Sequence, residues 1–71
     1  MEKLGEKLRA LRKQRGLSIR QLASMLDIKA HSHIAKIESG YSKPSVDLLF
    51  KITQFFDVPC DQLLNDDLEL D

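Results

Sequence analysis

The chain has 71 residues, of which 42% are hydrophobic, and 11 Lys and Arg balance 11 Asp and Glu. A chain of this length forms one small domain, which buries only about 60% of the surface of its unfolded state. The composition is that of a globular protein and argues against wholesale disorder. With no apolar run of 18 residues and no signal-peptide pattern, we expect a cytoplasmic protein that neither spans a membrane nor is secreted.

The charges are distributed unevenly along the chain. Residues 1–40 contain nine Lys or Arg and four Asp or Glu, whereas residues 41–71 contain two and seven. Such asymmetry predicts one face for a polyanion and another that is kept away from it. Lopsided charge is also common in small proteins, so this observation alone leaves both interpretations open.

The first part of the chain predicts two helices. Gly16 ends a first helix whose buried side is a row of leucines, Leu4, Leu8 and Leu11. Ser18 and Gln21 have the spacing of a capping box and begin a second helix. Its buried stripe is Leu22, Ala23 and Leu26. Asp27 follows, a residue type that tolerates the left-handed backbone conformation of a helix end.

The rest of the chain predicts three more helices and no strand. The third runs from within residues 30–32 to Ser39, with Gly40 as its stop. Ser45 caps a fourth helix, whose inner face is expected to be Val46, Leu49, Ile52 and Phe56. A short last helix covers residues 61–65. We therefore expect an all-α, five-helix domain at residues 1–65, followed by a frayed acidic tail at residues 66–71.

The order of residues resembles a known family. The matching residues are Leu17-Ser18, Gln21-Leu22-Ala23, Ile34, Ile37-Glu38-Ser39-Gly40, Lys43-Pro44-Ser45, Leu49, Lys51-Ile52, Val58 and Asp61-Gln62-Leu63-Leu64. This order resembles the phage-repressor and Cro type of helix-turn-helix domain, the XRE-like family, over roughly residues 4–64. The resemblance implies a compact five-helix, lambda-repressor-like DNA-binding domain. Its third helix would read the major groove, and dimers would bind paired half-sites.

Two sets of DNA contacts follow from the resemblance and from side-chain chemistry. The base-reading candidates face away from Ile34 and Ile37; they are His31, Ser32, Ala35 and Lys36. The phosphate-binding candidates lie at the start of the second helix and around the third; they are Ser18, Arg20, Gln21, Lys29, His33, Tyr41, Ser42 and Lys43. The alternative for each is a solvated polar surface.

The chain departs from the family pattern in the turn before the third helix. The family usually has a glycine where this chain has Asp27. The interval from Ala23 to Ile34 is also one residue longer than the commonest spacing. The extra residue is expected within residues 28–32, where a loop insertion leaves the fold intact.

Two structural expectations complete the prediction. The resemblance places Arg12 against Glu38 in a partly buried ion pair, the alternative being two independent surface charges. The apolar residues left outside the core are expected to form a homodimer interface; they are Leu48, Phe50, Phe55, Cys60 and Leu64. Alternatively, the first helix or Leu68 and Leu70 of the tail cover that patch.

Metal and enzyme chemistry find no support in the sequence. His31 and His33 point about 200° apart on a helix, and no third ligand is near in sequence. Cys60 lacks a basic neighbour and is expected to fill a core or an interface. No acid–base pair, nucleophile–base pair or phosphate loop is visible, so we expect neither an enzyme nor a cofactor.

The sequence therefore favours a sequence-specific transcriptional regulator that binds double-stranded DNA as a homodimer. The available mechanisms are repression by occupancy and activation by direct contact with RNA polymerase. The alternative from another class is a protein-interaction module of the same fold, an antitoxin-like or antirepressor subunit whose main partner is a protein. The acidic C-terminal third favours that alternative, whereas the basic first forty residues favour DNA.

Overall fold

The computed structural model describes residues 2–68 and 70, and it confirms the all-α fold. The five helices are α1 (Leu4–Gln14), α2 (Ile19–Met25), α3 (His31–Glu38), α4 (Val46–Phe56) and α5 (Cys60–Leu64). No strand occurs in the described part of the chain. None of the helices found there has the length and hydrophobicity needed to cross a membrane.

All five helices contribute to one aliphatic core. The largest fully buried side chains are Leu8 of α1, Leu22 of α2, Ile34 and Ile37 of α3, Ile52 of α4 and Leu63 of α5. Helix α3 packs mainly against α2 and α1, whereas α5 packs mainly against α1 and α4. Helix α1 therefore lies between the helix-turn-helix pair and the C-terminal helices.

The helix starts follow the predicted caps. The Ser18 hydroxyl accepts a hydrogen bond from the Gln21 amide at 3.0 Å, and Gln21 Oε1 accepts one from the Ser18 amide at 2.8 Å. This capping box satisfies two amides that α2 itself cannot pair. At α4, the Ser45 hydroxyl accepts from the Leu48 amide at 3.1 Å. Both predicted caps are confirmed.

Four helices end in the same way, with one residue in the left-handed backbone conformation. These residues are Gly16 (φ 67°), Asp27 (φ 58°), Gly40 (φ 82°) and Asp57 (φ 55°). In each case the next amide donates to a carbonyl five residues back; the pairs are Leu17 to Arg12, Ile28 to Ala23, Tyr41 to Lys36 and Val58 to Thr53. This is the Schellman pattern. The sequence predicted it at Asp27 and did not predict it at Asp57.

The aspartates at two of these ends carry backbone strain that glycine would avoid. We expect Asp27→Gly to raise the free energy of unfolding by about 0.5–1 kcal/mol, because glycine adopts positive φ without a steric penalty. Asp57→Gly is the matched second site and should act in the same direction. Asp27→Ala should lower stability. Urea denaturation measures all three, and a destabilised Asp27→Gly would show that the Asp27 side chain contributes more than its backbone costs.

The first turn of α1 lies directly on the end of α3. A Cβ atom added at Gly5 would lie 2.5 Å from the Ile37 carbonyl oxygen and 2.6 Å from that of Glu38. These are backbone atoms, so neither can move aside without shifting α3. Gly5 thus permits a helix approach that any other residue would block. The sequence analysis gave Gly5 no role, although an isolated glycine inside a helical pattern is a signal of close packing.

Arg12 and Glu38 form the ion pair that joins α1 to α3. Arg12 Nε donates to Glu38 Oε2 at 2.8 Å and Nη2 donates to Oε1 at 3.0 Å, while Nη1 donates to the Leu17 carbonyl at 2.8 Å. The two side chains are 11% and 6% exposed. The hydrogen bonds with Glu38 raise the pKa of Arg12. The bidentate pair therefore fixes the end of α3 against α1 and the loop that follows α1.

Breaking this pair should destabilise the fold. We expect Arg12→Ala to cost about 3 kcal/mol, because it leaves the Glu38 carboxylate buried without its partner. Arg12→Lys should recover only part of the loss, since an ammonium lacks the bidentate fork. The double variant Arg12→Met with Glu38→Met is the control, because it removes both charges and should melt closer to the wild type. Thermal unfolding followed by circular dichroism measures the series. An Arg12→Ala protein that melts like the wild type would contradict the structural role.

Two further ties join α1 to the chain end. The Lys7 side chain is buried, and its ammonium donates to the Gln62 carbonyl and, at 2.8 Å, to the Asn65 carbonyl at the end of α5. The Asp66 carboxylate accepts from the Glu2 and Lys3 amides, each at 2.9 Å. These bonds, that from Lys3 foremost, lower the pKa of Asp66 to about 2.

The predicted frayed tail is therefore wrong at its first residue, because the Asp66 carboxylate accepts hydrogen bonds from the two amides just before α1. Leu68 and Leu70 line a hollow with α1 residues Lys3, Glu6, Lys7 and Ala10. Leu68 and Leu70 therefore lie beside α1. This position does not support the alternative in which they cover the apolar patch of α4. Glu69 and Asp71 of the tail lie outside the described residues.

The inner face of α4 differs from the prediction. Leu48 was expected at the surface but is buried, with 6% of its area exposed, whereas Val46 was expected inside and is 83% exposed. The row at four-residue spacing that enters the core is Leu48, Ile52 and Phe56. The predicted row began at Val46 instead, although its members Ile52 and Phe56 are indeed buried. Leu48 is thereby removed from the predicted dimer interface.

The other predicted interface residues divide into two groups. Phe50 is 60% exposed and Cys60 is also exposed. Phe55 and Leu64 are half-buried against the core. The Arg15 guanidinium lies over the Phe55 ring, 5.5 Å from its centroid, and covers that side chain further. Phe50 and Cys60 therefore remain accessible to a partner, and Val46 joins them.

Candidate nucleic-acid interface

Helix α3 presents its predicted face to solvent. Ile34 and Ile37 are buried against α1 and α2, which turns the opposite side of α3 outward. His31, Ser32 and Lys36 are exposed there, and Ala35 is half-buried. The helix begins at His31, within the range predicted from the sequence. The four base-reading candidates thus share one solvent-facing side of α3.

A first group of phosphate candidates meets at the helix-turn-helix turn. Arg20 of α2, Lys29 of the turn and His31 of α3 line the same hollow, with Asp27 as its only carboxylate. Ser18 and Gln21 are exposed at the start of α2. The capping box uses the side-chain oxygen of Gln21, so the NH₂ group of the same amide remains a donor. This end of the molecule therefore offers several donors to an anion.

A second group lies beyond the other end of α3. Tyr41 is 81% exposed, Lys43 is exposed and Ser42 is half-buried. Ser42 and Lys43 line a hollow with Gly5 and Ile37, beside the junction of α1 and α3. The phosphate candidate His33 is half-buried. Donors therefore flank α3 at both of its ends.

Ser39 belongs to the same surface, although it is not among the predicted base-reading residues. It is exposed and lines a hollow with Ala35, Lys36 and Tyr41. Its hydroxyl donates to the Lys36 carbonyl at 3.0 Å. The helical period puts it on the stripe of Ser32 and Lys36, which is the signal that would have included it.

The charges near α3 favour an anionic partner. The only acid of α3 is Glu38, and its carboxylate is bound to Arg12 on the inner side. The exposed Asp61 lies on α5, which is separated from α3 by α1. Within the described residues, no three His, Cys, Asp or Glu side chains are grouped as a metal ion would require.

Comparisons with known proteins agree with this geometry. A family model described as helix-turn-helix matches residues 8–63. A curated relative, the HTH-type transcriptional regulator AnsR of Bacillus subtilis (strain 168), is 41% identical over 59 residues, which are 83% of this chain and 50% of the relative. The chain thus spans about half the length of that relative.

A solved structure shows the same fold. The restriction-modification controller protein C.AhdI of Aeromonas hydrophila superposes with a TM-score of 0.76 at 29% identity, covering 87% of this chain and 92% of the other. The family match includes α2, the turn and α3, whose geometry is described above. The chain belongs to the XRE-type family of helix-turn-helix proteins.

Proposed function

We propose that this protein is a transcriptional regulator that binds double-stranded DNA in a sequence-specific manner, with α3 in the major groove. The observation that carries the proposal is the solvent-facing side of α3, which has donors at both ends and no unpaired acid of its own. The relative named as a transcriptional regulator supports the same function. The first forty residues supply the positive charge.

In this proposal residues of α3 contact bases, and residues in and around α3 contact phosphates. Lys36 donates to guanine O6 or N7, and Ser32 contacts a base edge. His31 and Ala35 complete the base-reading surface. Phosphates are bound before α3 by Ser18, Arg20, Gln21 and Lys29, in its first turn by His33, and after it by Tyr41, Ser42 and Lys43. Phosphate contacts supply affinity and register, whereas base contacts supply sequence preference.

Selection of bound sequences from random duplexes tests this function. We expect an enriched operator whose affinity falls steeply from about 50 to 200 mM salt, because bound phosphates release counterions. Ser32→Ala or Lys36→Ala should relax the preference at one operator position, at a cost of about 1–3 kcal/mol for a bidentate contact.

The matched control for these variants is Lys43→Ala, which should weaken binding to all sequences alike and reduce the salt dependence. Uniform weakening by Lys36→Ala would make Lys36 a phosphate contact. Absence of any enriched sequence, together with binding indifferent to salt, would contradict the function and favour a protein partner.

We also propose that the protein acts as a homodimer through the exposed face of α4. Val46 and Phe50 lie one turn apart on this face, and Gln54 continues the row to a hollow that it shares with Cys60. Val46 and Phe50 are thus neighbours on one helix face, and exposed apolar patches are typical of interaction surfaces. A dimer would double the contacts made by one recognition helix.

The charges beside this row suit a second copy. Asp47 and Lys51 are exposed on the same flank of α4, four residues apart. A two-fold axis repeats every contact, because a residue of one copy that meets a second residue of the partner is itself met by that second residue in return. If two α4 helices pair antiparallel about an axis near Phe50, Asp47 of each copy approaches Lys51 of the other.

A charge placed in the row should separate the subunits. We expect Phe50→Glu to give a monomer that keeps its helices and loses tight operator binding, because two carboxylates would meet at the axis. Met25→Glu is the matched control, since Met25 is 58% exposed on α2 and should leave the assembly unchanged. Sedimentation at tens of micromolar measures the assembly. A wild-type protein that is monomeric alone and on a single half-site would contradict the dimer.

A further inference from the structure

The outward side of α3 carries a shallow, open hollow near its C-terminal end. We call it the Tyr41 hollow; its lining residues are Ala35, Lys36, Ser39 and Tyr41. Ala35 and Lys36 lie on α3, and Ser39 and Tyr41 follow the end of that helix. The surface is largely apolar, although it lies on the face proposed to meet DNA.

The position of Tyr41 against this surface is fixed by the end of α3. The Tyr41 and Ser42 amides both donate to the Lys36 carbonyl, at 2.8 and 3.2 Å, and Gly40 adopts a φ of 82° between them and the helix. The backbone of Tyr41 is therefore fixed by the Schellman motif that ends α3. Its ring nevertheless remains 81% exposed, which is unusual for so large an apolar group.

The lining residues limit what the hollow can accept. They include the Lys36 ammonium at the rim and no carboxylate, so an anionic partner with a small apolar group fits their chemistry. In the major groove, the one apolar group that a base edge displays is the C5-methyl of thymine. Ala35 and Tyr41 supply apolar lining for such a group.

We infer that the Tyr41 hollow receives the thymine C5-methyl of one operator position in each half-site. The inference rests on the proposed DNA-binding function and deepens it, because it gives Tyr41 a part in reading sequence. The Tyr41 hydroxyl remains free to donate to a phosphate while the ring contacts the methyl. Tyr41 would then act as a base reader and a phosphate contact at once.

Replacing each thymine of the selected operator in turn by uracil tests the inference, because uracil differs only by the missing methyl. For the wild-type protein we expect one thymine per half-site at which uracil weakens binding about 4-fold, the effect of exposing one buried methyl group. In Tyr41→Ala the same replacement should change affinity less than about 2-fold. In Tyr41→Phe, which keeps the ring, the full uracil effect should remain while overall affinity falls.

The outcomes separate this inference from the proposed function. Enriched operators whose binding is indifferent to uracil at every position would overturn the methyl contact and leave the regulator intact. A uracil effect of equal size in the wild type and in Tyr41→Ala would place the methyl against another residue and would also overturn it. Failure of the wild type to enrich any sequence would instead remove the proposed function. Thermal unfolding of Tyr41→Ala, whose side chain lies outside the core, checks that the fold is unchanged.

Discussion

The Arg12 guanidinium is the group on which the position of α3 depends. Its three nitrogens donate to three acceptors on two other segments, which are the two oxygens of Glu38 and the Leu17 carbonyl. A planar fork of this kind fixes direction as well as distance. Gly5 allows the backbones of α1 and α3 to come close enough for the fork to reach. A helix of eight residues is too short to hold its own orientation, so α3 takes it from α1.

Helix α1 also organises the charges of the molecule. It binds the end of α3 through Arg12 and the end of α5 through Lys7, so two of its cationic side chains make structural contacts. Arg15 lies over the Phe55 ring, and the other basic residues of the first forty are left for solvent or for an anion. Helix α5, which carries the exposed Asp61, is separated from α3 by α1, and Asp66 accepts hydrogen bonds from the two amides just before α1. One helix thereby separates a surface suited to phosphates from one that repels them.

The sequence predicted the elements and the family well, because caps, stops and leucine spacing are local signals. Five helices, the capping box at Ser18 and the left-handed Asp27 needed only neighbouring residues. The errors arose where local spacing allowed two solutions. On α4, apolar residues occur on nearly every side, and only packing against the other helices decides that Leu48 enters and Val46 leaves. Long-range ties made by Lys7 and Asp66 leave no pattern in the sequence at all.

The outer side of α3 contributes almost nothing to the core. Ser32, Lys36 and Ser39 are exposed, while Ile34, Ile37 and Glu38 carry the packing and the ion pair. Exchanges at exposed positions rarely change stability by more than about 0.5 kcal/mol. Under the proposed function, the DNA preference of this scaffold could therefore change during evolution without passing through unfolded intermediates. Duplicate copies of such a gene could diverge toward separate operators by a few codon changes while every descendant remained foldable.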